Sequence, residues 1–183
     1  MKVSQTIFID TIERAKCGDN NARAALFRQY SKAAYNICLR MCGNKNDAED
    51  ILQEAFIIAF NELKKLNDNV RFGGWLKTIV INKCIRHVKS ARAWNDLEEK
   101  HEEAGDDADD EWYAAIDFNI IHQEIKALPD GCRQVFNLYV LEDYTHKQIA
   151  ESMNIAESTS KTQYMRARQL LKERITKQLQ LNG

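Results

Sequence analysis

The chain of 183 residues contains 44% hydrophobic residues, seven glycines and one proline, and its formal net charge is −1. This composition excludes an intrinsically disordered chain, and the shortage of turn residues disfavours a strand-rich fold. No apolar run approaches the roughly 20 residues of a membrane span, and the first residues are too polar for a secretory signal, so we expect a cytoplasmic, all-α protein that is not itself a membrane protein.

The small net charge conceals an uneven distribution. Residues 95–117 contain eleven acidic residues and one basic residue, whereas residues 1–94 carry a net charge of +7 and residues 118–183 of +2. The acidic segment has too few apolar residues to fold alone, which predicts a flexible linker over 95–119. The flanks predict two small helical domains, 1–94 and 120–183, whose basic character favours a polyanionic partner.

The five cysteines show no metal-binding pattern. They are scattered, none forms a CxxC pair, and no two histidines stand at ligand spacing. Cys38 and Cys42 are four residues apart, which leaves a weak metal or redox interpretation open. Buried or partly buried reduced thiols are the favoured interpretation, and no metal or cofactor is expected.

Apolar spacing predicts four helices in the first domain. They are a helix over residues 7–17 that stops at Gly18, a helix capped by Asn20 or Asn21 that ends at Gly43, a helix capped by Asn46 or Asp47 over DAEDILQEAFIIAFNELKKL, and a helix from Trp75 to about Trp94. The loop NDNVRFGG is expected to precede the fourth helix. Six basic residues and no acidic residue lie between Arg71 and Arg92.

The second domain is expected to contain about four short helices. Pro129 sets the start of one, because its fixed φ suits the first helical turn. The side chains predicted to point inward from that helix are Val135, Phe136, Leu138, Tyr139 and Leu141.

The segment YTHKQIAESMNIAESTSKTQYMRARQLLKERI predicts a helix-turn-helix. Thr145 can cap the helix HKQIAESM, and Asn154 stands where the chain must turn sharply, a position at which Asn tolerates the left-handed conformation. Glu157 or Ser158 then opens a second, basic helix. Two short helices with this junction are typical of DNA-binding proteins.

The second of these helices has two distinct faces. Ser160, Tyr164, Ala167 and Leu171 are expected to pack against the domain. The DNA-facing candidates combine hydroxyl, methyl and cationic groups, which suit base edges and phosphates in a major groove. On this helix they are Ser158, Thr159, Lys161, Thr162, Met165, Arg166 and Arg168, and Thr145 at the start of the preceding helix is a further candidate. The alternative is an ordinary solvated helix face.

These patterns occur in the same order in a known family. The segments ERAKCGDNNARAALFRQYSKAAYNICLRMCGNKNDAEDILQEAFIIAFNEL, FGGWLKTIVINKCIRHVKS and LPDGCRQVFNLYVLEDYTHKQIAESMNIAESTSKTQYMRARQLL resemble the extracytoplasmic-function (ECF) sigma factors of bacterial RNA polymerase. The resemblance implies a region 2 bundle joined through the acidic linker to a region 4 helix-turn-helix domain. It also implies a non-enzymatic protein that binds core RNA polymerase and directs it to the −10 and −35 elements of promoter DNA.

The resemblance assigns the polymerase-binding surface to the third helix. The residues that match the family's motif are Asp47, Asp50, Gln53 and Glu54. Asp50, Gln53 and Glu54 share a face beside an apolar stripe, where they can pair with basic groups of a partner helix. A solvated acidic face near a helix start is the alternative interpretation. A paired-carboxylate catalytic site is disfavoured, since no histidine, nucleophile or phosphate loop stands nearby.

Recognition and melting of the −10 element are assigned to the fourth helix. The candidates are Arg71, Trp75, Lys77, Asn82, Lys83, Arg86 and Lys89. Aromatic rings can stack on unpaired bases while basic groups bind the backbone, although Trp75 is also a candidate core residue. The preceding loop, KKLNDNVRF, resembles the family's base-capturing loop.

Two departures from the family pattern affect promoter recognition. Positions 81 and 86 are Ile and Arg, where relatives often have Arg and Asp. The usual GTV is STS here, so that Ser160 replaces a core valine, and its hydroxyl is expected to bond to a carbonyl one turn earlier. The promoter sequence therefore cannot be copied from relatives.

The resemblance also implies an inhibitory partner, an anti-sigma factor that is often attached to the membrane. The acidic linker either enters the polymerase's RNA path or serves as a simple tether. Two other functions compete with the sigma interpretation: a dimeric helix-turn-helix repressor or activator that binds a palindrome, and a nucleic-acid-modifying enzyme that requires metal.

Overall fold

The computed structural model describes residues 2–91 and 118–181, and within these two stretches all the regular structure is helical. This confirms the all-α prediction. The chain divides into two compact units, Met1–His87 and Val88–Gly183, and the division falls in the last turns of one helix. The predicted boundary at residue 94 and nearly all of the predicted linker lie outside the described residues. Residues 118 and 119, predicted as linker, belong to a helix.

Four helices build the first unit. They are α1 (Lys2–Lys16), α2 (Asn20–Cys42), α3 (Lys45–Glu62) and α4 (Phe72–Ala91). The predicted C-terminal end of α2 is confirmed, since Gly43 has φ 82° and its N–H donates to the Leu39 carbonyl. The predicted caps are wrong: Asp19 caps α2 and Asn44 caps α3. Both residues lie one position before a helix whose first turn is more polar than apolar. Apolar periodicity alone therefore predicted the start of each helix too late in the sequence.

The core of the first unit lies between these helices. Each helix contributes fully buried side chains, among them Ile12, Leu26, Met41, Phe56, Phe72 and Val80. Two 3₁₀ turns, Leu63–Lys65 and Asn69–Arg71, connect α3 to α4. The fourth helix begins at Phe72 rather than at Trp75, because the buried Phe72 ring packs edge-on against Tyr30 with centroids 5.1 Å apart.

Gly73 permits that close approach of α4 to α2. A Cβ atom at position 73 would lie 3.2 Å from Cε1 of Tyr30. A helix with a side chain at this position would have to displace the tyrosine ring, and the ring anchors the start of α4. The two glycines that were predicted to lie in a loop thus lie inside a helix, and Gly73 packs closely against the Tyr30 ring.

Within residues 118–181, four further helices build the second unit. They are α5 (Phe118–Lys126), α6 (Asp130–Phe136), α7 (His146–Met153) and α8 (Glu157–Leu181). Pro129 occupies the N-cap of α6, and the positions predicted for Val135, Phe136 and Leu138 are buried. A hydrophobic cluster joins α5, α6 and α8 through Ile125, Leu128, Cys132, Ala167, Leu171 and Ile175.

The predicted burial of Tyr139 and Leu141 is wrong. Both side chains are partly exposed, because residues Asn137–Leu141 form a π turn that follows α6. A π turn contains more residues per turn than an α-helix, so it rotates the following side chains away from the face that 3.6-residue spacing predicts. The Tyr139 ring instead stacks on His146, with centroids 4.4 Å apart.

The helix-turn-helix forms as predicted. Asn154 adopts the left-handed conformation, with φ 52°, and Ile149 and Met153 are buried. Thr145 forms a reciprocal capping box with Gln148: its Oγ1 accepts from the Gln148 N–H at 3.2 Å, and its own N–H donates to Gln148 Oε1 at 2.8 Å.

Replacing Thr145 should therefore weaken the second unit. We expect Thr145→Ala to lower its stability by about 1 kcal/mol, the typical cost of losing an N-cap hydroxyl. Thr145→Ser should retain most of the stability because it keeps the hydroxyl. Chemical denaturation followed by circular dichroism compares the three proteins, and equal midpoints would contradict the capping role.

The cysteine prediction holds at four positions. Cys38, Cys42, Cys84 and Cys132 are buried free thiols, whereas Cys17 is exposed. Within residues 2–91 and 118–181, no group of three or more His, Cys, Asp or Glu side chains could hold a metal ion. No helix in the same stretches is long and apolar enough to cross a membrane.

Candidate protein-binding and nucleic-acid interfaces

The acidic face of α3 is exposed as the sequence indicated. Asp50, Gln53 and Glu54 are all solvent-exposed along one side of the helix. Glu54 forms an ion pair with Lys83 of α4. The structure thus joins a predicted polymerase-binding residue to a predicted DNA-binding residue, a contact that neither motif indicates.

Asp47 lies at the edge of the same face and is partly engaged within the unit. Its Oδ2 accepts a hydrogen bond from Asn44 Nδ2 at 2.7 Å and lies 3.0 Å from His87 Nε2. The hydrogen bond from Asn44, followed by the contact with His87, lowers the pKa of the Asp47 carboxyl. Asp47 therefore stabilises the start of α3, and Asp50 and Gln53 present more accessible polar groups.

Ile57 is a member of this surface that the sequence analysis missed. Its side chain is 59% exposed. It lies one turn beyond Gln53 and Glu54, so the acidic face continues into an exposed apolar position. The signal was available: a 100° rotation per residue places Ile57 opposite the buried Ala48, Ala55 and Ala59.

The predicted DNA-binding residues of α4 divide into two groups. Trp75, Asn82, Arg86 and Lys89 share one face, at spacings of seven, four and three residues. Asn82 and Arg86 are exposed, and Trp75 and Lys89 are half-buried. Lys77 follows Trp75 by two residues and is therefore turned by about 200° from this face. The structure brings the first four together and does not bring Lys77 to them.

Arg71 and Lys83 lie beside the α4 face and differ in how exposed their side chains are. The Arg71 side chain is 83% exposed and lies 3.3 Å from Asp68 Oδ2. Lys83 is largely covered and pairs with Glu54. Trp75 has its ring 6.0 Å from that of Phe72, so the indole is partly anchored in the unit and partly available at its surface.

The predicted packing face of α8 is confirmed. Ser160, Ala167 and Leu171 are buried, and Tyr164 is half-buried between Phe136 and Tyr139. Of the candidate DNA contacts, the exposed ones are Thr145, Ser158, Lys161 and Arg166, and the half-buried ones are Thr159, Thr162, Met165 and Arg168. Lys161 pairs with Glu157 at 2.9 Å, and the Arg168 guanidinium lies 5.8 Å from the centre of the Tyr164 ring.

Ser160 does not make the predicted contact with a carbonyl one turn earlier. Its Oγ lies 2.9 Å from Nδ1 of His146 at the start of α7. The imidazole also stacks on Tyr139 and meets the edge of Tyr164. The polar group in the core is therefore satisfied by the neighbouring helix, and the bond links the two helices of the helix-turn-helix. His146 was missed because its partner is fourteen residues away.

This environment makes the stability of the second unit depend on pH. Burial, followed by the charge of Lys161, lowers the pKa of the His146 imidazole. The folded state then binds fewer protons than the unfolded chain, so the stabilisation is complete above the ordinary histidine pKa of about 6.5 and is lost as the pH falls through the lowered value.

We expect the melting temperature to fall between about pH 7.5 and pH 5.5, and His146→Asn to reduce that fall. The asparagine keeps a polar group at the Nδ1 position and cannot titrate. Calorimetry of both proteins across this range measures the difference. Identical pH dependence would show that His146 does not contribute.

Two family models match the chain. Residues 26–94 match Sigma-70 region 2, and residues 118–171 match Sigma-70, region 4. The ECF RNA polymerase sigma factor SigW of Bacillus subtilis is 31% identical over 178 residues, which cover 90% of this chain and 94% of that protein. The chain belongs to the ECF sigma factors. The RNA polymerase sigma-H factor of Pseudomonas aeruginosa is 30% identical, with 87% and 89% of the two chains covered.

Solved structures show the same fold as this sigma factor. The sigma factor RpoE of Bartonella quintana, in complex with the anti-sigma factor NepR, matches with a TM-score of 0.52 and 17% identity over 82% of this chain and 94% of that one. CnrH, in complex with the cytosolic domain of CnrY, matches with a TM-score of 0.50 and 20% identity over 91% and 95%. The two units of this sigma factor thus correspond to regions 2 and 4, and its family consists of non-enzymatic initiation factors.

Proposed function

We propose that this ECF sigma factor binds core RNA polymerase through α3, recognises and melts the −10 element through α4, and reads the −35 element through α8. It catalyses no reaction itself and acts in the cytoplasm. Its domains are residues 1–94 and 120–183, joined by the acidic linker. One observation supports this proposal most directly. The helices α3, α4 and α8 each present an exposed face of different chemistry, and each helix begins within a segment that matches Sigma-70 region 2 or region 4.

The face of α3 suits a protein partner. It offers a carboxylate, an amide and an apolar side chain within two helical turns, at Asp50, Gln53 and Ile57. A basic helix of the polymerase can satisfy the carboxylates while its apolar side chains cover Ile57. Charged groups then give orientation and buried apolar area gives affinity.

The faces of α4 and α8 suit DNA in different states. The α4 face combines an indole, an amide and cations, which favour stacking on unpaired bases and contact with the strand backbone. The α8 face begins with small hydroxyl groups at Ser158 and Thr162 and continues to Arg166, a pattern suited to base edges in a duplex major groove. The pairing of Lys83 with Glu54 reduces the positive charge offered by the free protein.

Transcription in vitro tests the proposal. Purified core enzyme, with and without this protein, is supplied with a pool of genomic fragments as template, and transcript starts are mapped. We expect a set of starts that share two separated elements and appear only with the sigma factor. No starts enriched over core enzyme alone would overturn the proposal. Tight palindrome binding by a dimer without polymerase would instead support a repressor or activator.

An anti-sigma factor completes the proposed partners. Two of the similar solved structures contain a partner: the anti-sigma factor NepR in one and the cytosolic domain of CnrY in the other. We expect this protein to form an inhibitory 1:1 complex with a comparable partner, which in the family is often attached to the membrane. Co-purification of the tagged protein from its native host, with and without competing core enzyme, would identify such a partner.

A further inference from the structure

The loop between α3 and α4 is fastened to α1 by one lysine. The ammonium group of Lys16 donates to the Leu66 carbonyl at 2.9 Å, to Asn69 Oδ1 at 2.8 Å and to Glu13 Oε1 at 3.1 Å. Asn69 Nδ2 donates in turn to Glu13 Oε1 at 2.6 Å. Glu13, Lys16 and Asn69, here called the α1 clamp, therefore form a closed ring of hydrogen bonds between segments more than fifty residues apart.

All three N–H donors of the Lys16 ammonium group are engaged within the first unit. An ammonium has three N–H donors, and the acceptors here are Glu13, Asn69 and the Leu66 carbonyl. Its side chain is only 16% exposed, so removing the acceptors would leave a covered charge without partners, which is costly. The hydrogen bond from Asn69, followed by that from Lys16, lowers the pKa of the Glu13 carboxyl, as expected of a carboxylate that accepts both bonds.

The clamped loop carries exposed groups beside the α4 face. Val70 is 55% exposed and the Arg71 side chain 83% exposed, and both directly follow Asn69. Asp68 closes the local turn by accepting from the Val70 N–H at 3.0 Å. Beyond Leu66 and Phe72 at its two ends, the loop has little apolar anchorage of its own.

We infer that the α1 clamp positions the loop through which Val70 and Arg71 read the −10 element. This inference rests on the proposed function of α4. Lys16 and Asn69 are positioning residues that do not touch DNA: they fix where Val70 and Arg71 stand relative to Trp75. The orientation of the loop, and hence discrimination between bases, depends on a helix that contributes no DNA contact.

Two lysine variants separate positioning from simple charge. Lys16→Met removes the clamp's donors and keeps the length of the side chain. Lys32→Met removes the same charge from an exposed residue of α2 that belongs to neither the clamp nor the loop. Asn69→Ala is a second, milder break of the clamp in case Lys16→Met fails to fold.

The first measurement is amide hydrogen exchange of the free protein. We expect exchange in peptides spanning residues 63–72 to quicken by about tenfold or more in Lys16→Met and Asn69→Ala, with Lys32→Met unchanged and the α4 core unchanged in all three. Unchanged exchange in the loop would overturn the clamp whatever the protein's function.

The second measurement is transcription with core enzyme from templates that carry single-base changes across the −10 element. We expect the clamp variants to lose at least about fivefold in discrimination at one or more positions, the low end of the cost of one mismatch, and Lys32→Met to retain it. Faster loop exchange with unchanged base preference would overturn the positioning role. If the wild-type protein directed no promoter-specific transcription, the proposed function would fall, and the positioning role with it.

Discussion

The double variant Gln53→Ala, Glu54→Ala is expected to lose at least roughly 100-fold in affinity for core RNA polymerase. Both side chains stand on the exposed acidic face of α3, and residues at the centre of an interface account for most of its binding energy. Titration of fluorescently labelled protein with core enzyme measures the loss. The melting temperature of the first unit should change little, because neither side chain belongs to the core.

The ion pair between Glu54 and Lys83 supplies the control for this result. Truncating Glu54 leaves Lys83 without its partner, so a weaker complex could reflect a disturbed contact between α3 and α4. Lys83→Met breaks the same pair and keeps the carboxylate. We expect it to bind core enzyme within about twofold of wild type, since the Glu54 carboxylate stays exposed and a single partly exposed pair contributes little stability. A loss as large as that of the double variant would show that the pair, rather than the acidic face, matters.

The double variant Lys161→Ala, Arg166→Ala is expected to lower transcription from −35-dependent promoters on the order of 100-fold. Both residues lie on the exposed face of α8, and an arginine that reads a base edge typically contributes about 1–3 kcal/mol. Base discrimination at the −35 element should relax at the same time. Transcription from templates with altered −35 sequences measures both effects.

A second pair of cations on the same helix tests whether sequence is being read. Lys172→Ala, Lys177→Ala removes the same charge from exposed positions farther along α8. We expect a smaller loss, below about tenfold, that is uniform across DNA sequences and reduces the salt dependence of binding. If this pair matched the first in size and selectivity, α8 would act as a general basic surface and the readout would lie elsewhere.

Local chemistry accounts for much of what the sequence predicted correctly. The left-handed Asn154, the Thr145 cap and the Gly43 stop each depend on interactions within five residues, so their signals are contained in a short segment. The two faces of α8 follow from helical spacing alone. The errors at the starts of α2 and α3 arose because Asp19 and Asn44 precede polar first turns that carry no apolar period.

Contacts between distant segments were not predictable from spacing. Ser160 lies within hydrogen-bond distance of His146 on another helix, and Glu54 forms an ion pair with Lys83. Lys16 donates a hydrogen bond to Asn69, which is fifty-three residues away in the sequence. In each case the residue types allowed many partners, and only the packing of the helices selected one. The π turn after α6 belongs to the same class, because it moved Tyr139 from the predicted core to the stack with His146.

The sequence by itself determined that this protein is all helical, that a helix-turn-helix follows residue 144, and which family it resembles. Those properties depend on apolar periodicity, short-range capping and the order of motifs, all of which can be read from the positions of residues in the sequence. The tertiary structure alone decided that Glu54 pairs with Lys83, that Ser160 contacts His146, and that α1 holds the loop before α4. Those outcomes depend on how helices pack and rotate against each other, because burial and hydrogen-bond satisfaction are properties of the assembled unit.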